Sequence, residues 1–511
     1  MVKLLFKKER QEGFKVDPAT RRLQSFKSRH CVDGARMTSL LTRAGMPLDA
    51  ETTSSVADDM LCKMLIADAA LRGRHLTKAD IPDAYTQGQR IGRPKTYMYM
   101  PTAFQHLRDD SGEELCIELG TPMWGEGPAG FEWQVELERT LVQIGWTRAE
   151  DVPACWRFVS PDGDAILLTI VDDLLFSESP SSRYSISTKT CALLSAKYGD
   201  VKAAREPDSF AGFRVSRPAA GKINLSMPQK IIEAAREHMP ELIEGGKVTV
   251  PSHTSLHLTA DTMRMPEERK KSLSPLQRKT QKLIGSLKFI ERLHPRLTLL
   301  LHRLSCVMAY PPPEAYEVAR AALATVYHER DTGITFGGAL PARLDGRVSA
   351  NVDLWQPAPA TLEAHADATW GDRCVYALIL TFAGAAVFHQ VKKISMLVDS
   401  SMESEAIGTS KAAETIAYAR EILRAFGTPP EGPTLIGTDN LSNLRVASTS
   451  SCPTRSKHFL RRYEVLMQRV RDQQVVLKHV PDVNMPADFL TKWIPIAKLD
   501  QSITYATGAH N

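Results

Sequence analysis

The sequence predicts a multidomain protein of mixed α/β and α+β class, and three observations support this. The chain has 511 residues, enough for two to four domains. Residues 225–325 carry apolar side chains at helical spacing, whereas residues 361–495 combine strand-like apolar runs with one long helix. Between these regions, residues 330–360 are rich in Gly, Pro and Ala, which is typical of a linker.

The composition is that of an ordinary globular protein, with 43% apolar and 24% charged residues. The formal net charge is only +5, but basic residues concentrate within 1–50 and 455–471, which suits contact with a phosphate backbone. A solvated surface is the alternative for either cluster. The eight cysteines form no CxxC pair, which argues against a zinc site or a disulfide framework. No apolar run approaches the ~20 residues that span a bilayer, and none suits a signal peptide.

Helices and one hairpin are predicted in the first two thirds of the chain. Residues 56–72 and 128–146 have apolar positions at helical spacing, and Gly145 ends the second helix. Residues 165–170 and 174–176 are predicted to form two strands, with Asp172 and Asp173 in the turn. Further helices are predicted at 228–239, 278–293, 297–310 and 313–330.

The last third of the chain predicts an α/β domain. Residues 373–382 and 384–390 have the pattern of two strands joined through Gly384. A long helix follows over 402–427, with Gly427 as its stop signal. Two further strands are predicted at 434–440 and 475–480.

Seven acidic residues lie where predicted strands end or helices begin, in two groups. They are Asp80, Asp172 and Asp173 in the first group, and Asp367, Glu405, Asp439 and Asp488 in the second. Each group offers the oxygen ligands that Mg²⁺ prefers, and two such ions about 4 Å apart support phosphoryl transfer. Taken singly, each acid has another interpretation, such as turn chemistry or a helix N-cap.

Two nearby glutamates need to be distinguished. Ser400 and Glu403 fit the S-x-x-E capping box, in which the glutamate accepts hydrogen bonds from backbone N–H groups. Glu405 is therefore the better candidate for a metal ligand.

Several stretches in this order resemble one known family. "ADIPDAYTQG" (79–88), "MWGEGPAGFEW" (123–133) and "TIVDDLLF" (169–176) are similar to motifs of the reverse transcriptase of copia-type retrotransposon polyproteins. "HADATWGD" (365–372), "SSMESEAIG" (400–408), "TDNLSNLRVA" (438–447) and "NMPADFLTK" (484–492) resemble motifs of the ribonuclease H that follows it. The resemblance runs from about residue 25 to 495.

The resemblance implies a role for each candidate residue. It places Asp80, Asp172 and Asp173 in a polymerase palm, and Asp367, Glu405, Asp439 and Asp488 in a nuclease site. Each set would hold two Mg²⁺ ions, with Mn²⁺ as a substitute. Tyr85 would screen the nucleotide 2′-OH, unless it is simply a packed aromatic. Lys457, His458 and Arg461 would line the hybrid groove, unless they are an ordinary basic helix face.

The resemblance also implies a domain order. We expect a basic segment with the start of the fingers, fingers and palm, a helical thumb or connection, a linker, a ribonuclease-H-like α/β domain and a tail. Their ranges are 1–55, 56–225, 226–330, 331–360, 361–495 and 496–511. The chain departs from the family pattern at Pro82-Asp83, Ile170, Thr369 and the stretch 127–131.

The function that the resemblance implies is RNA-directed DNA polymerisation with ribonuclease H activity. RNA template, DNA primer, RNA–DNA hybrid and dNTPs would be its ligands, and capsid and integrase of the same element further partners. The expected location is a cytoplasmic virus-like particle and the nucleus, without secretion or a membrane. No capsid, protease or integrase motif precedes the segment, so a processed product, a degraded copy and a domesticated host gene all stay open. A nuclease without polymerase activity and a non-catalytic nucleic-acid-binding relic are the alternatives.

Overall fold

The computed structural model of the chain describes most of the sequence. The described residues are 3–4, 6–16, 23–32, 52–92, 95–100, 104, 106–246, 248, 252–269, 272–337, 362–371, 373–448 and 460–508. Over these ranges, no helix is both long enough and apolar enough to cross a lipid bilayer.

The chain divides into two units. Unit 1 comprises Met1–Ala57 and Thr77–Arg205, and unit 2 comprises Asp58–Leu76 and Glu206–Asn511. The first helix, α1 (Asp59–Arg72), belongs to unit 2. It begins after the N-cap residue Asp58 and ends at Gly73, whose φ is +61°.

Unit 1 is built mainly on a six-stranded sheet. Its elements are β1 (Lys3–Leu4), β2 (Phe6–Val16), β3 (Leu23–Val32), β4 (His75–Asp80), α2 (Ala84–Gln87), β5 (Tyr97–Tyr99), β6 (Cys116–Glu118), α3 (Ala129–Ile144), β7 (Thr147–Arg148), β8 (Cys155–Ser160), β9 (Gly163–Ile170), β10 (Asp173–Glu178), α4 (Ser185–Tyr198) and β11 (Lys202–Arg205). The order in the main sheet is β11-β4-β10-β9-β8-β7. β1, β5 and β6 form a second sheet, and β2 pairs with β3.

The centre of this sheet is the tight hairpin β9–β10. Asp173 pairs with Ile170, which leaves Val171 and Asp172 in the turn. Val171 has a φ of +58°, a conformation that is costly for a β-branched residue and is typical of functional turns. The hairpin strands are buried, and Phe176 packs in the core of unit 1.

Unit 2 contains a small sheet, a group of helices and a five-stranded sheet. Its remaining strands and α-helices are β12 (Ser209–Phe210), β13 (Phe213–Ser216), β14 (Ile223–Ser226), α5 (Pro228–His238), α6 (Pro240–Ile243), α7 (His253–Thr262), α8 (Pro275–Ile290), α9 (Thr298–Val307), α10 (Pro313–His328), β15 (Gly333–Phe336), β16 (Glu363–Thr369), β17 (Val375–Phe382), β18 (Ala385–Lys393), α11 (Ser401–Ala425), β19 (Thr434–Thr438), α12 (Leu441–Ser448), α13 (Leu460–Arg471), β20 (Val475–His479) and α14 (Ile496–Thr507). The four-stranded sheet has the order β12-β13-β14-β15.

The helices α5 and α8–α10 share one apolar core. Ile231, Leu283, Leu287, Leu301 and Leu323 are all fully buried in it. Each lies on the apolar stripe of its helix, because helical spacing brings every third or fourth residue to the same face.

The five-stranded sheet has the order β18-β17-β16-β19-β20. β17 runs antiparallel to both β16 and β18, whereas β19 is parallel to both β16 and β20. Ala383 and Gly384 form the β17–β18 turn, and both have positive φ angles, as a two-residue hairpin of this kind requires. The long helix α11 packs on β16 and β17.

The predicted mixed α/β character is confirmed, and the predicted helices and strands are found close to their expected positions. Two segments differ. Gly333–Phe336, placed in the predicted linker, form β15 and pair with β14. Residues 496–507, placed in the predicted tail, form α14, because Leu499 and Ala506 fall on one helix face and pack in the core of unit 2. Residues 338–360 of the predicted linker lie outside the described residues.

Candidate active sites

In unit 2 the fold brings the second group of acids together at one edge of the five-stranded sheet. Asp367 lies near the end of β16, and Asp439 directly follows β19. These strands are parallel, and His365 is in register with Gly437, so two residues further on Asp367 and Asp439 are level. The carboxyl ends of neighbouring parallel strands commonly form the ligand site of an α/β sheet.

Two overlapping groups of carboxylates result. One oxygen from each of Asp367, Glu405 and Asp439 lies within 4.8 Å of the others. Asp439, Asp482 and Asp488 form a second group by the same measure, so Asp439 belongs to both. Glu405 comes from α11, and Asp488 begins a short 3₁₀ turn, Asp488–Leu490.

Burial makes this concentration of negative charge costly. Asp488 is fully buried, and Asp367 and Glu405 are exposed by only 2% and 6%. Burial, together with the neighbouring carboxylates, raises the pKa of Glu405 to about 9 and that of Asp367 to about 7. Burial also raises the pKa of Asp439. Without a cation the carboxyls therefore tend to keep their protons, and a bound divalent cation would displace those protons and neutralise the carboxylates instead.

The structure separates the two glutamates of α11 as predicted. Ser400 accepts a hydrogen bond from the backbone of Glu403 at 3.3 Å, and the Glu403 carboxylate accepts one from the backbone of Asp399 at 2.8 Å. Glu405 instead accepts a hydrogen bond from the backbone of Ala368 at 3.2 Å. Its Oε2 atom is buried and has no hydrogen-bond partner among the described residues. Glu403 is therefore a capping residue, and Glu405 has a carboxylate oxygen left for a ligand.

Four polar residues that sequence reasoning missed surround Asp488 and Asp367. Lys492 Nζ lies 3.0 Å from Asp488 Oδ1 and 3.2 Å from Asp482 Oδ1. Lys498 donates to Asp488 Oδ2, and Thr491 donates to Asp367 Oδ2. Thr491 and Lys492 belong to the quoted stretch "NMPADFLTK", which was the available signal, but no motif marked Asp482 or Lys498.

In unit 1 the first group of acids lies on neighbouring strands. Asp80 ends β4, which lies beside β10 in the sheet. The backbone N–H of Ile81 donates to the carbonyl of Asp172 at 3.0 Å, which ties the end of β4 to the hairpin turn. Asp173 Oδ1 forms an ion pair with Lys78 Nζ at 3.4 Å. Among the described residues, these three carboxylates do not form a group as tight as those of unit 2.

A tryptophan and a tyrosine flank this turn. The indole N–H of Trp133 donates to the carbonyl of Val171 at 2.6 Å, so the buried side chain from α3 holds the strained turn. Tyr85 packs beside the core of unit 1, and burial followed by the charge of Asp172 raises its pKa. Tyr85 is therefore near Asp172, which suits both interpretations of this residue. Trp133 lay in a quoted motif, but its hydrogen bond depends on the folded structure.

Three predicted substrate-binding residues have no described side chain. Lys457 and His458 lie outside the described residues, and Arg461 is described only as part of the backbone of α13. Their assignment to the hybrid groove stays a prediction.

The donor set of unit 2 fits hard divalent cations. All candidate ligands are carboxylate oxygens, which Mg²⁺ and Mn²⁺ prefer. The buried Oε2 of Glu405 has no hydrogen-bond partner among the described residues, so it is available as a ligand for such a cation.

Curated relatives of this chain are retrovirus-related Pol polyproteins of transposons, which confirms the predicted resemblance to the copia-type polyprotein. The chain is 24% identical over 453 residues to the polyprotein of transposon RE1 from Arabidopsis thaliana, covering 87% of this chain and 28% of the relative. It is 20% identical over 482 residues to that of transposon TNT 1-94 from Nicotiana tabacum, covering 94% and 34%. A putative transposon Ty5-1 protein of Saccharomyces cerevisiae is 26% identical over 286 residues, covering 54% and 87%. The chain thus spans about a third or less of the plant polyproteins that it matches.

Solved structures with similarity to this chain include two ribonucleases H1. LC11-RNase H1, solved in complex with an RNA/DNA hybrid, is 17% identical with a TM-score of 0.20, covering 25% of this chain and 93% of that one. RNase H1 from Halobacterium salinarum is 17% identical with a TM-score of 0.21, covering 28% and 98%. No protein-family model matches the chain.

Proposed function

We propose that unit 2 cleaves the RNA strand of RNA–DNA hybrids by metal-ion-dependent hydrolysis. The observation that carries this proposal is the pair of overlapping carboxylate groups that share Asp439 at the carboxyl edge of the sheet. The homology to retrovirus-related Pol polyproteins supports a nucleic-acid substrate. An LC11-RNase H1 structure with an RNA/DNA hybrid suggests the hybrid as the ligand to test first.

The metal ligands and the residues that orient them would have separate roles at this site. Asp367, Glu405, Asp439 and Asp488 would hold two Mg²⁺ ions, which supply an activated water and charge neutralisation at the scissile phosphate. Thr491 orients the Asp367 carboxylate through its hydroxyl, and the Ala368 backbone orients that of Glu405. These contacts fix the carboxylates before the substrate arrives, which lowers the cost of organising the site.

We also propose a second activity, RNA-directed DNA polymerisation, for unit 1. The supporting observation is the hydrogen bond from Ile81 to Asp172, which brings the end of β4 beside the two-residue turn that contains Asp172. Asp80, Asp172 and Asp173 would hold divalent cations while the primer 3′-OH attacks the α-phosphate of a dNTP and pyrophosphate leaves. Tyr85 would exclude the 2′-OH of a ribonucleotide by its bulk.

One assay tests both proposals together. The full chain is incubated with an RNA–DNA hybrid carrying a recessed DNA primer and a labelled RNA strand, with dNTPs, in the presence and absence of Mg²⁺. We expect Mg²⁺-dependent cleavage of the RNA strand and extension of the primer. Asp439→Asn should abolish cleavage, and Asp172→Asn should abolish extension.

The outcomes separate the alternatives. Cleavage without extension would identify a nuclease whose polymerase has degenerated. Salt-dependent binding with neither activity would identify a non-catalytic relic and would contradict both proposals. Cleavage that persists in Asp439→Asn would show that the acids of unit 2 are not the catalytic site.

A further inference from the structure

Both oxygens of the buried Asp488 carboxylate lie beside an ammonium group: Oδ2 is hydrogen-bonded, and Oδ1 is in an ion pair without a hydrogen bond from the described residues. Lys492 Nζ is 3.0 Å from Oδ1, and Lys498 donates to Oδ2. A candidate metal ligand is thus occupied by side-chain cations. Because a buried carboxylate is costly without a partner, these lysines neutralise Asp488 in the metal-free protein.

The position of Lys498 indicates that this neutralisation is specific. Lys498 is the third residue of α14, which follows the N-cap Pro495. The first turn of a helix favours acids, because the backbone N–H groups there carry partial positive charge. Lys498 overcomes this preference by contacting Asp488 and the carbonyl of Asp482, the latter at 2.5 Å.

Lys492 already has a second partner, because its ammonium group donates a hydrogen bond to Asp482. Its Nζ atom lies 3.2 Å from Asp482 Oδ1, and Asp482 is 71% exposed whereas Asp488 is fully buried. Lys492 itself is 40% exposed, so its side chain has room to move toward solvent. A small shift away from Asp488 would leave it on Asp482 alone, with its charge still paired.

We infer that Lys492 is a resident counter-cation that bridges Asp488 and Asp482 in the metal-free protein and moves onto Asp482 alone when divalent cations bind. Lys492 and Asp482 are therefore positioning residues that set the metal affinity of the site. This inference rests on the proposed metal-dependent function. It goes beyond that function by identifying Lys492 as the cation that competes with the metal for Asp488. It also identifies Asp482 as the acceptor that holds Lys492 once the metal has bound.

The test measures the Kd of Mn²⁺ by titration calorimetry on the full-length protein, and the thermal midpoint in EDTA. Lys492→Met removes the competitor, so we expect Mn²⁺ to bind about tenfold more tightly. The midpoint in EDTA should fall by about 2–4 °C, because Asp488 loses a partner. Lys492→Arg keeps the charge and should bind Mn²⁺ like the wild type.

Asp482→Asn removes the acceptor, so Lys492 should stay on Asp488 and Mn²⁺ binding should weaken several-fold. In the Lys492→Met background, Asp482→Asn should have no further effect, since Asp482 acts through Lys492. If Asp482→Asn weakens binding equally in both backgrounds, Asp482 is a direct ligand and the inference is overturned.

Lys411→Met is the matched control, because Lys411 pairs with Glu414 at 2.6 Å on the surface of α11. We expect it to change neither the Kd nor the midpoint. A Lys492→Met protein with a lower midpoint but an unchanged Kd would show a purely structural role and would overturn the inference. A wild type that binds no Mn²⁺ would instead contradict the proposed function itself.

Discussion

The two groups of acids differ in how completely the fold assembles them. In unit 2, Asp367, Glu405 and Asp488 are buried, and their oxygens belong to tight groups. In unit 1, Asp80 and Asp173 are half-buried, and Asp173 pairs with Lys78 at 3.4 Å. The nuclease candidate is thus preorganised by packing, whereas the polymerase candidate depends on a turn held by backbone and indole hydrogen bonds.

This difference follows from the elements that carry the acids. Parallel strands and a packed helix fix Asp367, Asp439 and Glu405 from three directions, and burial makes their mutual repulsion strong. Asp172 instead lies in a partly exposed hairpin turn, where fewer elements hold it in place and water screens its charge. The fold of unit 2 therefore stores electrostatic strain that unit 1 avoids, and cation binding should stabilise unit 2 more.

The largest expected effect tests whether the two sites work independently. Asp367→Asn should lower hybrid cleavage more than about 100-fold, since even outer-shell changes at metal sites cost 10–100-fold. It should leave primer extension within about twofold, and Asp80→Asn should show the opposite pattern. Both rates are measured on one labelled template–primer. A loss of both activities from either substitution would show that the sites are coupled and would break the comparison.

A smaller effect is expected from substitutions of Tyr85, which test how unit 1 selects deoxyribonucleotides over ribonucleotides. Tyr85→Ala should increase the use of ribonucleotides relative to deoxyribonucleotides by about 10–200-fold, because one steric contact in a pocket is worth that range. Tyr85→Phe keeps the bulk and should keep the discrimination. The ratio of kcat/KM for the two nucleotides measures this. An unchanged ratio in Tyr85→Ala would identify Tyr85 as a packed aromatic only.

A third prediction concerns the hydrogen bond that holds the turn of unit 1. Trp133→Phe removes the donor to Val171, so we expect primer extension to fall about tenfold through loss of turn geometry. Hybrid cleavage should not change. Trp146→Phe is the matched control, because Trp146 is equally buried in the same core and donates its indole hydrogen bond to Thr190 at 3.2 Å rather than to the turn. If both substitutions lower primer extension equally, Trp133 contributes through packing and not through its hydrogen bond to the turn.

The smallest expected effect is on the thermal stability of the metal-free protein. It tests whether the buried carboxylates of unit 2 repel one another. The pKa of Glu405 is raised in the folded state, so its carboxyl stabilises the fold while protonated, below about pH 4.5. That contribution is lost as pH rises toward about 9. In EDTA we expect the thermal midpoint to fall over this range, and Glu405→Gln should reduce the fall by about 3 °C. An identical pH profile in Glu405→Gln would contradict the predicted repulsion.

The sequence predicted the regular elements well, for a physical reason. Helical and strand periodicity are local, and the β9–β10 hairpin and α11 are therefore found where their patterns place them. The S-x-x-E pattern also identified Glu403 as a capping residue, since capping is decided within one helical turn. Features of this kind depend on residues that are close along the chain.

Features that depend on distant residues were missed. The four-residue strand β15 forms only because β14, more than a hundred residues earlier, offers it a pairing edge. Asp482, Lys492 and Lys498 meet through a turn and a helix whose orientation no local pattern specifies. α14 was assigned to a tail because its apolar face becomes recognisable only once the sheet that it covers is known.

The most direct test of the central claim is anomalous diffraction from crystals of the protein soaked in Mn²⁺. We predict two anomalous peaks in unit 2, one in contact with Asp367, Glu405 and Asp439 and the other in contact with Asp439 and Asp488. Crystals that bind Mn²⁺ elsewhere, or show no peak at these carboxylates, would contradict the assignment of this site.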